Sequence, residues 1–166
     1  LHLSIRRQRQ MCIRDRFERL KTPHKVKMAV SACPRNCAES GIKDVGVVGV
    51  EGGWEIYVGG NGGTHLRAAD LLCTVKTEDE VIEMTGAFLQ YYRESAHYLE
   101  RTSKWVERVG LEHIREVLFD VETRRALLER LHKALSATTD PWRDIVENER
   151  VQQLLFRDIG DKEPVE

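Results

Sequence analysis

No apolar run in this sequence approaches the roughly 18 residues that a membrane-spanning helix needs, so none is expected. Excess charge of either sign is also missing. Twenty-six basic against 27 acidic residues leave a net charge of -1, whereas a phosphate-binding surface normally shows a basic surplus. Neither nucleic acid nor a membrane is therefore an expected partner. Cysteine is scarce, with four in 166 residues, far from the density of a small secreted disulfide scaffold. A reducing, cytoplasmic setting fits these thiols, and a close pair there points to metal or cluster ligands rather than a disulfide. No internal repeat or low-complexity stretch interrupts the chain. What is present is an ordinary globular composition, 41% hydrophobic and 32% charged, long enough for one core with or without a helical appendage.

The first 16 residues, LHLSIRRQRQMCIRDR, hold five arginines and one acidic residue and show no period. Such an end suits a transit peptide or a segment foreign to the fold, and 1–16 are expected to lie outside it. Val26, Met28 and Val30 then alternate with Lys27 and Ala29, a strand signal leading into Cys33. The run Val45–Val50, the pair Gly52-Gly53 and the alternating Trp54, Ile56 and Val58 predict a hairpin turned on glycine. Leu71 to Val75 adds a short strand.

At Thr77 the period becomes helical. Thr77-Glu78-Asp79-Glu80 matches a capping box, and Val81, Met84, Phe88, Tyr92 and Leu99 share a helical face. Trp105, Val106 and Val109 predict a short helix stopped by a left-handed Gly110. Leu111, Ile114 and Leu118 mark another, and Leu127, Leu128, Leu131 and Leu135 a fourth. Asp140-Pro141 opens a fifth, with proline at its first position. Strands first and helices after make an α+β chain, divided as 17–76, 77–156 and a polar, frayed tail 157–166.

The chemistry concentrates in two places. Cys33-Pro34-Arg35-Asn36-Cys37 sets two thiols four residues apart, on one face if the segment forms a helical turn started by Pro34. Such a pair suits a soft metal or an iron–sulfur cluster, but two small buried cysteines would show the same spacing. The second place is glycine: eight of the 12 glycines fall between Gly46 and Gly63. Tight turns account for Gly52-Gly53, while Gly59-Gly60-Asn61-Gly62-Gly63 directly follows a strand and would let a flat or anionic ligand approach the backbone. Cys73 reads as core, and the histidines are scattered without metal-binding spacing.

The stretch KVKMAVSACPRNCAESGIKDVGVVGVEGGWEIYVGGNGG closely resembles the second half of the sirohaem and 4Fe–4S domain of assimilatory NAD(P)H-dependent nitrite reductase large subunits. FLQYYRESAHYLERTSKWVERVGLEHIREVL resembles that family's C-terminal helical segment. The resemblance implies a partial sirohaem domain of short antiparallel strands over 17–76, followed by the helices. It implies that Cys33 and Cys37 are the second pair of four cluster ligands, with Cys37 shared between cluster and sirohaem iron. Arg35 and Asn36 become candidates for cluster sulfur or a sirohaem carboxylate, and Gly59, Gly60 and Asn61 for contact with the macrocycle. The reaction implied is nitrite reduction to ammonium, with FAD and NAD(P)H bound in upstream domains and a small iron–sulfur subunit as a possible partner. The family's C-x5-C pair does not precede Cys33 in this sequence, Cys12 stands at the wrong spacing to replace it, and Ala32 occupies an expected glycine position. The chain is accordingly expected to be a fragment, inactive alone. A sulfite reductase haemoprotein shares the cofactors and the C-x3-C pair. Two readings from other classes are a zinc module, using Cys33, Cys37 and either His24 or Cys73, and a helical interaction module with the cysteines in its core.

Overall fold

The computed structural model describes residues 16, 17, 19–137 and 141–156. Cys12, Asp140 and the tail 157–166 lie outside the described residues, as does nearly all of the arginine-rich end. Four strands form one sheet in the order β1 (Met28–Ser31), β2 (Val45–Val50), β3 (Gly53–Val58) and β4 (Asp70–Val75). β2, β3 and β4 make the expected antiparallel meander. β1 departs from that expectation: it runs parallel to β2, with Met28 beside Val45 and Ser31 beside Val48. Parallel neighbours cannot be joined by a tight turn, because the chain must first return along the sheet, which takes about a dozen residues. That return is the crossover 32–44, and it carries both Cys33 and Cys37.

Successive strand residues point to opposite faces of a sheet. Val45, Val47, Ile56 and Val58 face the helices and join their core, with Met28 and Val30 packed at its margin. The other face bears Ala29, Ser31, Gly46 and Val48, and the crossover lies against it. Ser31 Oγ and Ser40 Oγ are 2.8 Å apart and buried, tying strand to crossover. A Cβ on Gly46 would stand 2.0 Å from the Ser40 carbonyl oxygen. Only glycine lets the returning chain lie that close to the sheet.

The helices are α1 (Glu78–Ser95), α2 (Thr102–Val109), α3 (Leu111–Phe119) and α4 (Val121–Ser136). The capping box at α1 forms as expected: Thr77 Oγ1 accepts from Glu80 N at 3.2 Å, and the Glu80 carboxylate accepts from Thr77 N at 3.0 Å. The helix is shorter than the periodicity implies. It ends at Ser95, and Leu99 is exposed at φ 61 rather than on the buried face. The cause is local hydrogen bonding. The His97 N–H donates to the Glu100 carboxylate at 2.9 Å and the Tyr92 hydroxyl donates to the Glu100 carbonyl, which turns the chain away from the helix axis. Gly110 does stop α2 at a positive φ of 89, but its ψ of 132 is far from the left-handed helical value, and it feeds straight into α3.

Trp105 centres the core. It is fully buried, donates from Nε1 to Ser95 Oγ at 3.0 Å, and meets Phe88, Tyr91 and Tyr92 edge-on at 5.5, 5.4 and 5.4 Å between ring centroids. Such edge contacts stabilise by about 0.5–1.5 kcal/mol each beyond the area they bury. At the sheet's far margin, Arg115 of α3 donates to the carbonyls of Leu72 and Leu71 at 3.1 and 2.6 Å, covering the open edge of β4.

The described residues among 136–156 form a second compact unit containing α5 (Pro141–Glu147) and α6 (Glu149–Phe156). Pro141 opens α5 as expected. Asn148 caps α6, a helix the periodicity does not announce: its Oδ1 accepts from Arg150 N at 3.2 Å and Val151 N at 3.3 Å. Among the described residues no helix is long and apolar enough to cross a membrane.

Candidate metal centre

The crossover begins one residue before Cys33. The Asn36 N–H donates to the Cys33 carbonyl at 3.3 Å, and the Glu39 N–H donates to the Asn36 carbonyl at 2.8 Å. Asn36 and Glu39 take φ values of 55 and 56. The segment is therefore a pair of tight turns and not the helical turn that Pro34 suggests, because a positive φ at Asn36 ends any helix between the two cysteines. Asparagine enters that region at low cost. Cys33 is half-buried, while Pro34, Arg35 and Cys37 are exposed. Asn36 is half-buried, and its Oδ1 accepts from Gly41 N at 3.1 Å, so that oxygen serves the crossover's own fold.

The glycine loop meets the same crossover from below. Gly59 N and Gly60 N donate to the carbonyls of Asp44 and Lys43, each at 3.0 Å. Both glycines are buried. A Cβ at Gly60 would stand 2.5 Å from the Lys43 carbonyl, and one at Gly59, which has φ 73, would stand 2.9 Å from Val106 Cγ2 in α2. Contacts within the chain thus account for glycine at both positions. Asn61 closes the neck of the loop. Its backbone exchanges two hydrogen bonds with Arg67, both 2.9 Å, while its side chain accepts from Gly63 N at 3.2 Å and donates to the His65 carbonyl at 2.8 Å. Residues 62–66 are exposed beyond that neck.

The two motifs converge on a short 3-10 turn, Ser40–Ile42. Asn36 bonds to Gly41 from the cysteine side, Gly62 approaches Ile42 from the other, and Ala69 N donates to the Gly41 carbonyl at 2.8 Å. Sequence reasoning passes over the group that anchors this arrangement, Asp44, which is 1% exposed. Its Oδ2 accepts from Lys27 N at 2.9 Å, its Oδ1 accepts from the Thr102 hydroxyl, and Arg101 Nη2 lies 3.5 Å from Oδ2. The available signal is a carboxylate directly before an all-apolar strand, where a buried charge requires partners.

Cys73 does not join the pair. It sits beside Ile56 on the helix-packed side of the sheet, opposite the face bearing the crossover, and burial pushes its thiol up to about 11. Among the described residues no three of His, Cys, Asp and Glu come together as a metal site. The zinc arrangement of Cys33 and Cys37 with His24 or Cys73 is therefore not assembled among the described residues, and the exposure of Cys37 contradicts a reading of both thiols as core. Two thiols on one loop, one half-buried and one open, fit two of the four positions around a 4Fe–4S cluster in donor chemistry.

Residues 4–127 match the family described as the nitrite and sulphite reductase 4Fe-4S domain. The chain belongs to that family. It is 62% identical over 149 residues to the NAD(P)H nitrite reductase of Bacillus subtilis, a match covering 90% of this chain and 18% of that protein. It is 33% identical over 144 residues to the NADH nitrite reductase large subunit of Escherichia coli, covering 84% of this chain and 17% of the relative. An assimilatory-type sulfite reductase of Nitratidesulfovibrio vulgaris is 42% identical over 96 residues, 58% of this chain and 44% of the relative. The chain thus spans less than a fifth of the two nitrite reductases. The family match runs through the sheet, the crossover and the helices to Leu127, so these belong to one reductase domain segment.

Proposed function

We propose that this chain is the segment of an NAD(P)H-dependent nitrite reductase large subunit that gives Cys33 and Cys37 to a 4Fe–4S cluster, with Cys37 shared with the sirohaem iron. The observation that carries the reading is the thiol pair presented on the crossover of a chain that is 62% identical to a nitrite reductase over 90% of its length. When bound, the sirohaem and cluster supply electrons one at a time, so that nitrite takes up six electrons and eight protons to give ammonium and two waters.

The chain's own residues hold and orient. Cys33 and Cys37, set by two tight turns, would be the thiolate ligands of the cluster. Arg35, exposed between them, would pair with a carboxylate of the macrocycle. Asn36 keeps its oxygen on Gly41, and its amide NH2 would be the group left to hydrogen-bond cluster sulfur. Gly59, Gly60 and Asn61 shape the glycine loop, whose exposed Gly62-Gly63 backbone is the part open to a flat ligand. The remaining thiolates, the FAD and NAD(P)H sites and any small iron–sulfur subunit belong to other parts of the assembly. Its setting is the cytoplasm.

The test is turnover by the intact polypeptide that contains this segment. The expected result is about three NAD(P)H oxidised per ammonium formed from nitrite, as six electrons require, with sulfite reduced more slowly. Faster reduction of sulfite would move the chain to the sulfite branch of the family. An intact protein with no iron and no turnover of either anion would end the reductase reading.

A further inference from the structure

We infer that Asp44 is a positioning residue for the Cys33–Cys37 pair, an assignment that rests on the reductase reading above. The crossover is bound to the protein mainly through its second half. Ser40 meets Ser31, Gly41 receives Ala69 and Asn36, and Lys43 and Asp44 receive Gly60 and Gly59. The cysteine turns hang from this half by Asn36 and the chain itself. Whatever fixes residues 40–44 therefore fixes where the thiols can stand.

Asp44 is the anchor of that half. Its carboxylate reaches back to Lys27 N, immediately before β1, and Val45 N returns a hydrogen bond to the Lys27 carbonyl at 3.2 Å, so the two ends of the β1-and-crossover loop are clamped together. The same carboxylate holds Thr102 and Arg101 at the start of α2, 58 positions away for the threonine. Its carbonyl holds Gly59, at the head of the glycine loop. One buried side chain thus ties the sheet, the crossover and the helix layer together, while the backbone carbonyl of the same residue takes the glycine loop. Arg101 keeps Nε buried without a hydrogen-bond partner among the described residues while it reaches this carboxylate, a cost that plain surface charge pairing does not require. Core packing alone does not need the group either, since a buried carboxylate is a poor source of net stability compared with an apolar residue of similar size.

The experiment uses the intact, iron-loaded polypeptide carrying this segment and compares Asp44→Asn, Thr102→Val, Thr102→Ser and Tyr92→Phe. Tyr92→Phe removes a hydrogen bond of the same core, to the Glu100 carbonyl, and leaves the hydrogen bonds of the Asp44 carboxylate in place. Bound iron is challenged with a competing chelator, the reduced cluster's low-temperature EPR spectrum is recorded, and the unfolding midpoint is measured alongside. Asp44→Asn and Thr102→Val are expected to lose iron about 10-fold more readily and to shift the EPR signal, as supporting groups around metal ligands do. Thr102→Ser should restore wild-type behaviour, and Tyr92→Phe should lower the unfolding midpoint yet leave iron retention and spectrum unchanged. If Asp44→Asn does not fold, Thr102→Val and its serine rescue decide the matter. Wild-type iron retention and spectrum in both disrupting variants, or iron loss in Tyr92→Phe equal to theirs, would overturn the positioning role. A wild-type protein that binds no iron would overturn the reductase reading itself.

Discussion

Replacing Gly46 by alanine puts a methyl carbon 2.0 Å from the carbonyl oxygen of Ser40 and 2.6 Å from its carbonyl carbon. The obstacle is backbone, so no side-chain rotation relieves it. Either β2 or the crossover must move by more than an ångström. Overpacking of this kind costs about 1–3 kcal/mol, and the rigidity of both partners places Gly46→Ala near the upper end. A chain of this size shifts its midpoint by about 2–4 °C per kcal/mol, giving a fall of roughly 6–12 °C. Gly52→Ala is the control. Nothing stands within 4 Å of its added carbon, and only the positive φ of 81 opposes it, a strain of about 1–2 kcal/mol. Urea unfolding of the two variants of the 166-residue chain, with alkylation of Cys33 followed by mass spectrometry, reads both consequences. Gly46→Ala should be the less stable variant and should expose Cys33 to faster labelling, since the displaced segment is the crossover. A Gly46→Ala chain as stable as Gly52→Ala, with Cys33 labelled at the wild-type rate, would refute the claim that the crossover lies directly on the sheet.

Trp105→Ala removes the residue around which Phe88, Tyr91 and Tyr92 pack and should cost about 3–5 kcal/mol in denaturant unfolding. Thr77→Ala, which deletes one half of the α1 capping box, should cost about 1 kcal/mol by the same measurement. Glu100 titrates at about 2, below its usual 4.5, chiefly because Arg108 hydrogen-bonds its carboxylate. A depressed carboxylate stabilises the fold above its unfolded pKa, so this contribution is present above about pH 4.5 and fades as pH falls toward 2. Carboxyl NMR titration should find Glu100 returned toward the ordinary range in Arg108→Ala. Iodoacetamide at pH 8 should label exposed Cys37 well before Cys73, whose buried thiol is pushed up to about 11.

Much of the local structure can be read from periodicity. The alternation at Met28 and Val30, the Gly52 turn and the Thr77 box each encode an element within a few residues, and each forms where the pattern puts it. Periodicity fails where a long-range or local polar contact overrides it. Leu99 continues the helical face on paper, yet Glu100 bends the chain at Ser95. The parallel pairing of β1 with β2 leaves no trace in the strand sequences, because it is set by how the crossover returns. At the site, Cys33 and Cys37 stand out by spacing. The reasons for glycine at Gly59 and Gly60 do not, since their neighbours Val106, Lys43 and Ile42 come from distant or unpatterned segments. Asp44 is hidden for the same reason: a partner 58 positions away gives no local signal.

Iron and acid-labile sulfide analysis of single serine variants tests most directly whether Cys33 and Cys37 are cluster ligands. In the intact polypeptide, Cys33→Ser and Cys37→Ser should each lose the iron and sulfide of the 4Fe–4S cluster, while Cys73→Ser keeps them. Full iron and sulfide in either of the first two variants, or their loss in Cys73→Ser, would contradict that role.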